Sequence, residues 1–195
     1  MSEIMSLPTT QSTILPTPSR SFNFAIVGHV SNGKTTIISK LTSVDTKKHS
    51  TESSTGRTVK LGYANCLIWE CPACKSLSST GQKTNNLQCK CQTSCNIVDK
   101  ISFVDAPGHH ELIDTMVRGI SAIDAAILVT DIRSKILEPQ TIEHLAILSC
   151  YQIKHIIVIQ NKVDLVTRDT CISHYKMLLT YLKDTAAEGA RIIPI

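Results

Sequence analysis

Apolar residues along the chain fall into short blocks, and the spacing inside each block predicts its backbone form. Residues 22–27 are an apolar run without alternation, which predicts a strand buried on both faces. Residues 34–41 carry Ile37, Ile38 and Leu41 at i, i+1 and i+4, which predicts a helix with one apolar face. Residues 59–69 and 101–105 read as further strands. Residues 111–121, with Leu112, Ile113, Met116 and Val117, read as a helix. A buried strand is predicted at 125–130, and a helix opens near Pro139, a residue suited to a first helical turn. Within that helix His144 reads as structural. The continuous β-branched residues of 155–160 predict another strand, 170–183 a helix and 191–195 a last strand. Strands alternating with helices predict an α/β domain, mostly a parallel sheet with helices on both faces. Residues 1–21, rich in Ser, Thr and Pro and without periodicity, read as a disordered tail, leaving 22–195 as one domain.

Composition narrows this picture. The 195 residues are 42% hydrophobic, enough for one domain with a proper core. No apolar run reaches the ~20 residues of a membrane span, and no secretory signal precedes the first strand. An intracellular, cytoplasmic protein is expected. A net charge of +4 is too mild to argue for nucleic-acid binding. Eight cysteines in a reducing compartment point to metal rather than disulfides.

Three short motifs carry the chemistry. Gly28-His29-Val30-Ser31-Asn32-Gly33-Lys34-Thr35, between a strand and a helix, has the G-x4-G-K-T spacing of a phosphate-binding loop. Its glycines permit a tight curl, its N–H groups and the helix dipole face an anion, Lys34 reaches the β- and γ-phosphates, and the Thr35 hydroxyl suits magnesium. Asp105-Ala106-Pro107-Gly108-His109 ends a strand. Asp105 would reach the magnesium through water, Gly108 would offer its N–H to the γ-phosphate, and His109 would orient an attacking water. Asn161-Lys162-Val163-Asp164 reads the base. Asp164 can accept from guanine N1–H and N2–H, donors adenine lacks, and a buried carboxylate left unpaired would cost ~1–3 kcal/mol. Asn161 would brace the phosphate loop and the Lys162 stem would pack over the ring. Between the first helix and the second strand, a polar segment containing Thr58 is placed to order around a γ-phosphate and its magnesium.

A fourth cluster lies in a polar insertion at 70–97. Cys71-Pro72-Ala73-Cys74 is a C-x2-C turn, and Cys89-Lys90-Cys91-Gln92-Thr93-Ser94-Cys95 follows. Two turns giving two thiolates each would meet zinc's tetrahedral demand. Cys71 and Cys74 form the first half; Cys89 and Cys91 supply the second, with Cys95 competing. The insertion is too polar to bury a core of its own, so a metal staple is expected. Cys66, Cys150 and Cys171 read as core residues.

The phosphate loop, D-A-P-G-H and N-K-V-D together resemble the elongation factor Tu class of translational GTPases. Thr58-Val59-Lys60-Leu61-Gly62-Tyr63-Ala64, the cysteine insertion and Pro139-Gln140-Thr141-Ile142-Glu143-His144-Leu145 resemble the gamma-subunit family of translation initiation factor two. The resemblance implies a Ras-like P-loop GTPase domain that binds GTP or GDP with Mg2+. It implies slow hydrolysis without partners, and delivery of initiator methionyl-tRNA to the small ribosomal subunit in a trimer with alpha and beta subunits. GTPase-activating and exchange factors are implied as further partners, and no membrane. Carried over by position, the nucleotide contacts are Val30, Ser31, Asn32, Gly33, Lys34, Thr35, Thr36, Gly108, Asn161, Lys162 and Asp164. The magnesium positions are Thr35, Gly56, Thr58 and Asp105, and His109 is catalytic. Ser31-Asn32 departs from the family's usual pair before Gly33. The family's C-terminal β-barrel domains and the short S-A-x loop behind the last strand lie outside the sequence, so a fragment is expected. Two alternatives stand: a sister tRNA-delivery factor, such as one for selenocysteine, and a GTP-gated binding module that does not hydrolyse.

Overall fold

The computed structural model describes residues 18, 20–43, 62–81, 84, 86–105 and 122–195. Residues 1–17 and 19 of the expected 1–21 tail, the segment with Gly56 and Thr58, the motif positions 106–109 and the expected helix at 111–121 lie outside them. Seven strands form one sheet in the order β3-β2-β4-β1-β5-β6-β7. They are β1 (Arg20–Val27), β2 (Gly62–Glu70), β3 (Leu77–Gly81), β4 (Asn96–Asp105), β5 (Ala125–Asp131), β6 (Ile156–Asn161) and β7 (Arg191–Pro194). The described helices are α1 (Lys34–Thr42), α2 (Pro139–Cys150) and α3 (Arg168–Leu182). β1 runs parallel to β4 and β5, β5 to β6, and β6 to β7, whereas β2 is antiparallel to both β4 and β3.

Alternation along the strands divides the core between two faces. Ala25 and Val27 of β1 face Leu145 and Leu148 of α2 and Leu178 and Leu182 of α3. Ile26, one register position away, joins Ile37 and Ile38 of α1. All seven residues of β5 are buried, as its unbroken apolar run predicts for a central parallel strand.

The structure departs from the sequence pattern in four places. β1 begins at Arg20, where the guanidinium grips Asp99 of β4 at 2.8 Å. On α1, Leu41 is 38% exposed and Thr42 is fully buried in its stead. The Thr42 hydroxyl remains satisfied by donating to the Ile38 carbonyl at 2.8 Å. This face meets β3: a Cβ on Gly81 would lie 2.5 Å from the Thr42 carbonyl oxygen. Residues 77–81, too polar to signal a strand, nonetheless pair with β2 from Cys66↔Gly81 to Glu70↔Leu77. Finally, β4 starts at Asn96, and the insertion does bury apolar surface: Leu67, Trp69, Cys71, Cys95 and Ile97 form a cluster with Leu87 and Cys89 against it. The extended ends of β2 and β4 supply the apolar residues that the insertion's own loops lack.

Candidate functional site

The phosphate loop leaves the buried end of β1 and is held from three directions. Gly28 adopts φ 134° and Gly33 φ 93°. A Cβ at Gly28 would stand 2.2 Å from the Val129 carbonyl oxygen, and one at Gly33 2.4 Å from Asn161 Nδ2. A side chain at Gly28 would strike backbone, one at Gly33 would have to push the Asn161 amide aside, and the positive φ at both favours glycine. The Lys34 ammonium donates to the Gly28 and His29 carbonyls, each at 2.8 Å. Burial pushes its pKa down to about 8, with Asp105 and then Glu138 pulling the other way. Asn32 is buried and donates from Nδ2 to the Val129 carbonyl at 3.0 Å. Ser31 and Thr36 are exposed, the latter on the first turn of α1.

Two loop amides are held by α2. The Gly28 N–H donates to His144 Nδ1 at 3.1 Å, and the Val30 N–H to Gln140 Oε1 at 3.4 Å. Residues four apart on a helix share a face, so α2 presents both acceptors together. His144 must be neutral to accept on Nδ1. Burial, then the charges of Lys34 and His29, pushes its pKa down to about 4.

Asp105 closes β4 and is fully buried. The Thr35 hydroxyl donates to its Oδ2 at 2.7 Å, so two expected magnesium positions meet. Gly56, Thr58, Gly108 and His109 are outside the described residues, and the structure does not place them.

β6 delivers the third motif. Asn161 Nδ2 donates to the Asn32 carbonyl at 2.7 Å, tying the third loop to the phosphate loop as the sequence predicts. Lys162 takes a left-handed backbone, φ 68°. Its Nζ donates to the Ser31 carbonyl at 2.8 Å and to Asp131 Oδ2 at 2.7 Å. Asp164, in the short 3-10 turn Val163–Leu165, is exposed rather than buried. Any discrimination between bases by this carboxylate would therefore rest on bonds gained with a ligand, not on prior desolvation.

The motifs did not reveal His144 as a loop anchor, nor Gln140, Asp131 and Arg133. The i, i+4 spacing of Gln140 and His144 was the available signal. Asp131 carried none, because its partner Lys162 lies at another strand's end, and Arg133 takes its place through Asp131.

A second centre forms in the insertion. One Sγ from each of Cys71, Cys74, Cys89 and Cys91 lies within 4.8 Å of the others. Cys71–Cys91 and Cys74–Cys89 are 3.4 Å apart and Cys91–Cys74 3.9 Å. These exceed a disulfide's ~2.05 Å and approach the ~3.8 Å edge of a ZnS4 tetrahedron with Zn–S 2.3 Å. Both turns fold back: the Lys75 N–H bonds the Cys71 carbonyl four residues earlier and the Gln92 N–H the Cys89 carbonyl three residues earlier, both at 2.9 Å. Lys75 and Gln92 are both left-handed, at φ 58° and 65°. The Cys91 backbone N–H, followed by the Ser76 hydroxyl, draws the Cys89 thiol down to about 6. Cys95 is not in this group; it packs into the apolar cluster. Cys66 is buried in the core as expected, but Cys150 is exposed and Cys171 only half-buried.

A phosphate loop, an acid at the end of the neighbouring strand and a base-reading loop, meeting at the carboxyl edge of one mainly parallel sheet, define a Ras-like P-loop nucleotide-binding domain. Residues 19–195 match the elongation factor Tu GTP binding domain, and the chain belongs to that family. Translation initiation factor 2 subunit gamma of Aeropyrum pernix is 42% identical over 173 residues, 89% of this chain and 42% of that protein. The eukaryotic translation initiation factor 2 subunit gamma of Schizosaccharomyces pombe is 39% identical over 184 residues, 90% of this chain and 41% of that protein. The chain thus spans about two-fifths of the length of these curated relatives. A crystal structure of the bacterial selenocysteine-specific elongation factor EF-Sec superposes with TM-score 0.66 at 26% identity, covering 89% of this chain and 25% of that one. The elongation factor SelB of Methanococcus maripaludis, in complex with the GTP analogue GppNHp, gives 0.63 at 25% identity, covering 92% and 30%. Among the described residues no helix is long and apolar enough to cross a membrane.

Proposed function

We propose that this chain is the GTP-binding and GTP-hydrolysing domain of the gamma subunit of translation initiation factor two. The observation that carries the nucleotide reading is the 2.7 Å bond from Asn161 to the Asn32 carbonyl, which joins the base-reading loop to the phosphate cradle. Lys34 would exchange its two carbonyl partners for phosphate oxygens. Thr35 and Asp105 would hold Mg2+, Asp105 through water, with Thr58 and the Gly56 backbone completing the site. A bound Mg2+ neutralises charge on the β- and γ-phosphates. Gly108 would donate to the γ-phosphate and His109 would orient the water. Turnover is slow without partners, as it is in GTPases whose transition-state charge is met by a group supplied in trans. Displacement of a fluorescent GDP by GTP but not by ATP is the expected result; equal displacement by ATP overturns the reading. His109→Ala should abolish partner-stimulated phosphate release.

Identities near 40% to gamma subunits, against 26% to the selenocysteine factor, support the subunit assignment over the sister-factor alternative. On it rest delivery of initiator methionyl-tRNA to the small ribosomal subunit, assembly with alpha and beta subunits, regulation by activating and exchange factors, and a cytoplasmic place of work. Filter binding of initiator against elongator tRNA, by the assembled trimer with GTP, tests it. Cys71, Cys74, Cys89 and Cys91 would hold a structural Zn2+. Elemental analysis of protein purified without chelator should find one zinc per chain.

A further inference from the structure

Asp131 belongs to none of the three motifs, yet it stands beside them. It is the last residue of β5 and pairs in register with Asn161 of β6. Its carboxylate is 9% exposed and fully engaged. Oδ1 accepts the backbone N–H and the Nε–H of Arg133, both at 3.0 Å. Oδ2 accepts Arg133 Nη2 at 2.6 Å and Lys162 Nζ at 2.7 Å. The Arg133 side-chain bonds, with Lys162, hold this carboxyl well below the usual carboxylate range.

The consequence falls on Lys162. A lysine side chain has about 2 kcal/mol of rotamer freedom to lose when it is fixed. Here the ammonium is fixed at two points, Asp131 on one side and the Ser31 carbonyl on the other. The stem between backbone and ammonium is thereby laid across from the base loop to the phosphate loop. A flat apolar wall set before a purine arrives does not have to be ordered at the moment of binding.

We propose that Asp131 is a positioning residue of the base site: its carboxylate, clamped by Arg133, pre-orders Lys162 as a fixed wall against the purine face. The proposal rests on the guanine-nucleotide reading above. Asp131→Asn keeps the shape and loses the charge. Lys162→Met keeps the stem and loses the ammonium. In stopped-flow release of fluorescent GDP from the 195-residue chain, each variant should dissociate about tenfold faster, the scale of one charged hydrogen bond. The double variant should be no faster than Lys162→Met alone, because the Asp131 carboxylate acts on the nucleotide only through that ammonium. Binding of inorganic tripolyphosphate with Mg2+, which has no base, should be unchanged in Asp131→Asn. The proposal is overturned if Asp131→Asn releases GDP at the unaltered rate. It is also overturned if the two effects multiply, or if tripolyphosphate weakens as much as GDP. No GDP binding by the unaltered chain would overturn the guanine reading as well.

Discussion

Gly28 and Gly33 stand where a methyl group has no room, and each is fixed by a different neighbour. For Gly33 that neighbour is Asn161, 2.4 Å from where a Cβ would sit. Gly33→Ala should push the amide off the Asn32 carbonyl and weaken GDP binding at least about tenfold, near 1.4 kcal/mol, by isothermal titration. His144 makes a prediction in pH. Its folded pKa of about 4 lies below the ordinary 6.5, so the unfolded chain binds more protons between those values. Stability should be full above pH 6.5, fall as pH drops toward 4 by about 3 kcal/mol in all, and then level off for this group. Urea midpoints of His144→Phe should lose that part of the slope, and sit lower at pH 7.5, where the Gly28 N–H is left unpaired at a cost of ~1–3 kcal/mol. The glycines and Lys34 were legible because phosphate chemistry dictates them at a fixed spacing. The role of His144 was not, because its i, i+4 spacing from Gln140 marks a shared helix face but does not say that the face meets an amide 116 positions earlier.

At the scale of elements, the parallel core strands could be read directly, since strands covered on both faces must be apolar throughout. β3 could not: Leu-Ser-Ser-Thr-Gly becomes a strand only because β2 extends far enough to pair with it. The two halves of the cysteine site show the same limit. Spacing left Cys89, Cys91 and Cys95 competing for two positions. The choice was made by β4, whose early start turns Cys95 into the apolar cluster and leaves Cys89 and Cys91 beside Cys71 and Cys74. Trp69, the chain's single tryptophan, is 2% exposed in that cluster and donates to the Thr80 hydroxyl at 2.7 Å. Stripping the thiolates of metal with a chelator should shift its emission to longer wavelength and lower the unfolding temperature, because metal binding energy is folding energy in such a hairpin. An unchanged spectrum after complete zinc removal would show the hairpin standing without it.

Across the whole molecule, the phosphate loop, the acid that ends β4 and the third motif, in contact over as many as 131 positions, arrive at one sheet edge. The motifs foretold that meeting; how it is bound together they did not. Two side chains, Asn161 and Lys162, do the joining, each bonding a phosphate-loop carbonyl. Asn161→Ala should therefore weaken GDP and GTP alike by roughly 10–100-fold, the cost of an orphaned carbonyl plus a loosened cradle, without gaining affinity for ATP. Competition against a fluorescent guanine nucleotide measures both parts.

One contact far from the nucleotide edge carries a mechanical implication. α1 is a nine-residue rod whose first residues are Lys34 and Thr35 and whose last carbonyl, that of Thr42, rests on Gly81 of the cysteine hairpin. Such a short rod has no slack, and a carbonyl seated against a bare Cα leaves no gap to absorb a shift. A tilt of the hairpin would press on the far end of the rod whose near end carries the two residues placed to greet phosphate and magnesium.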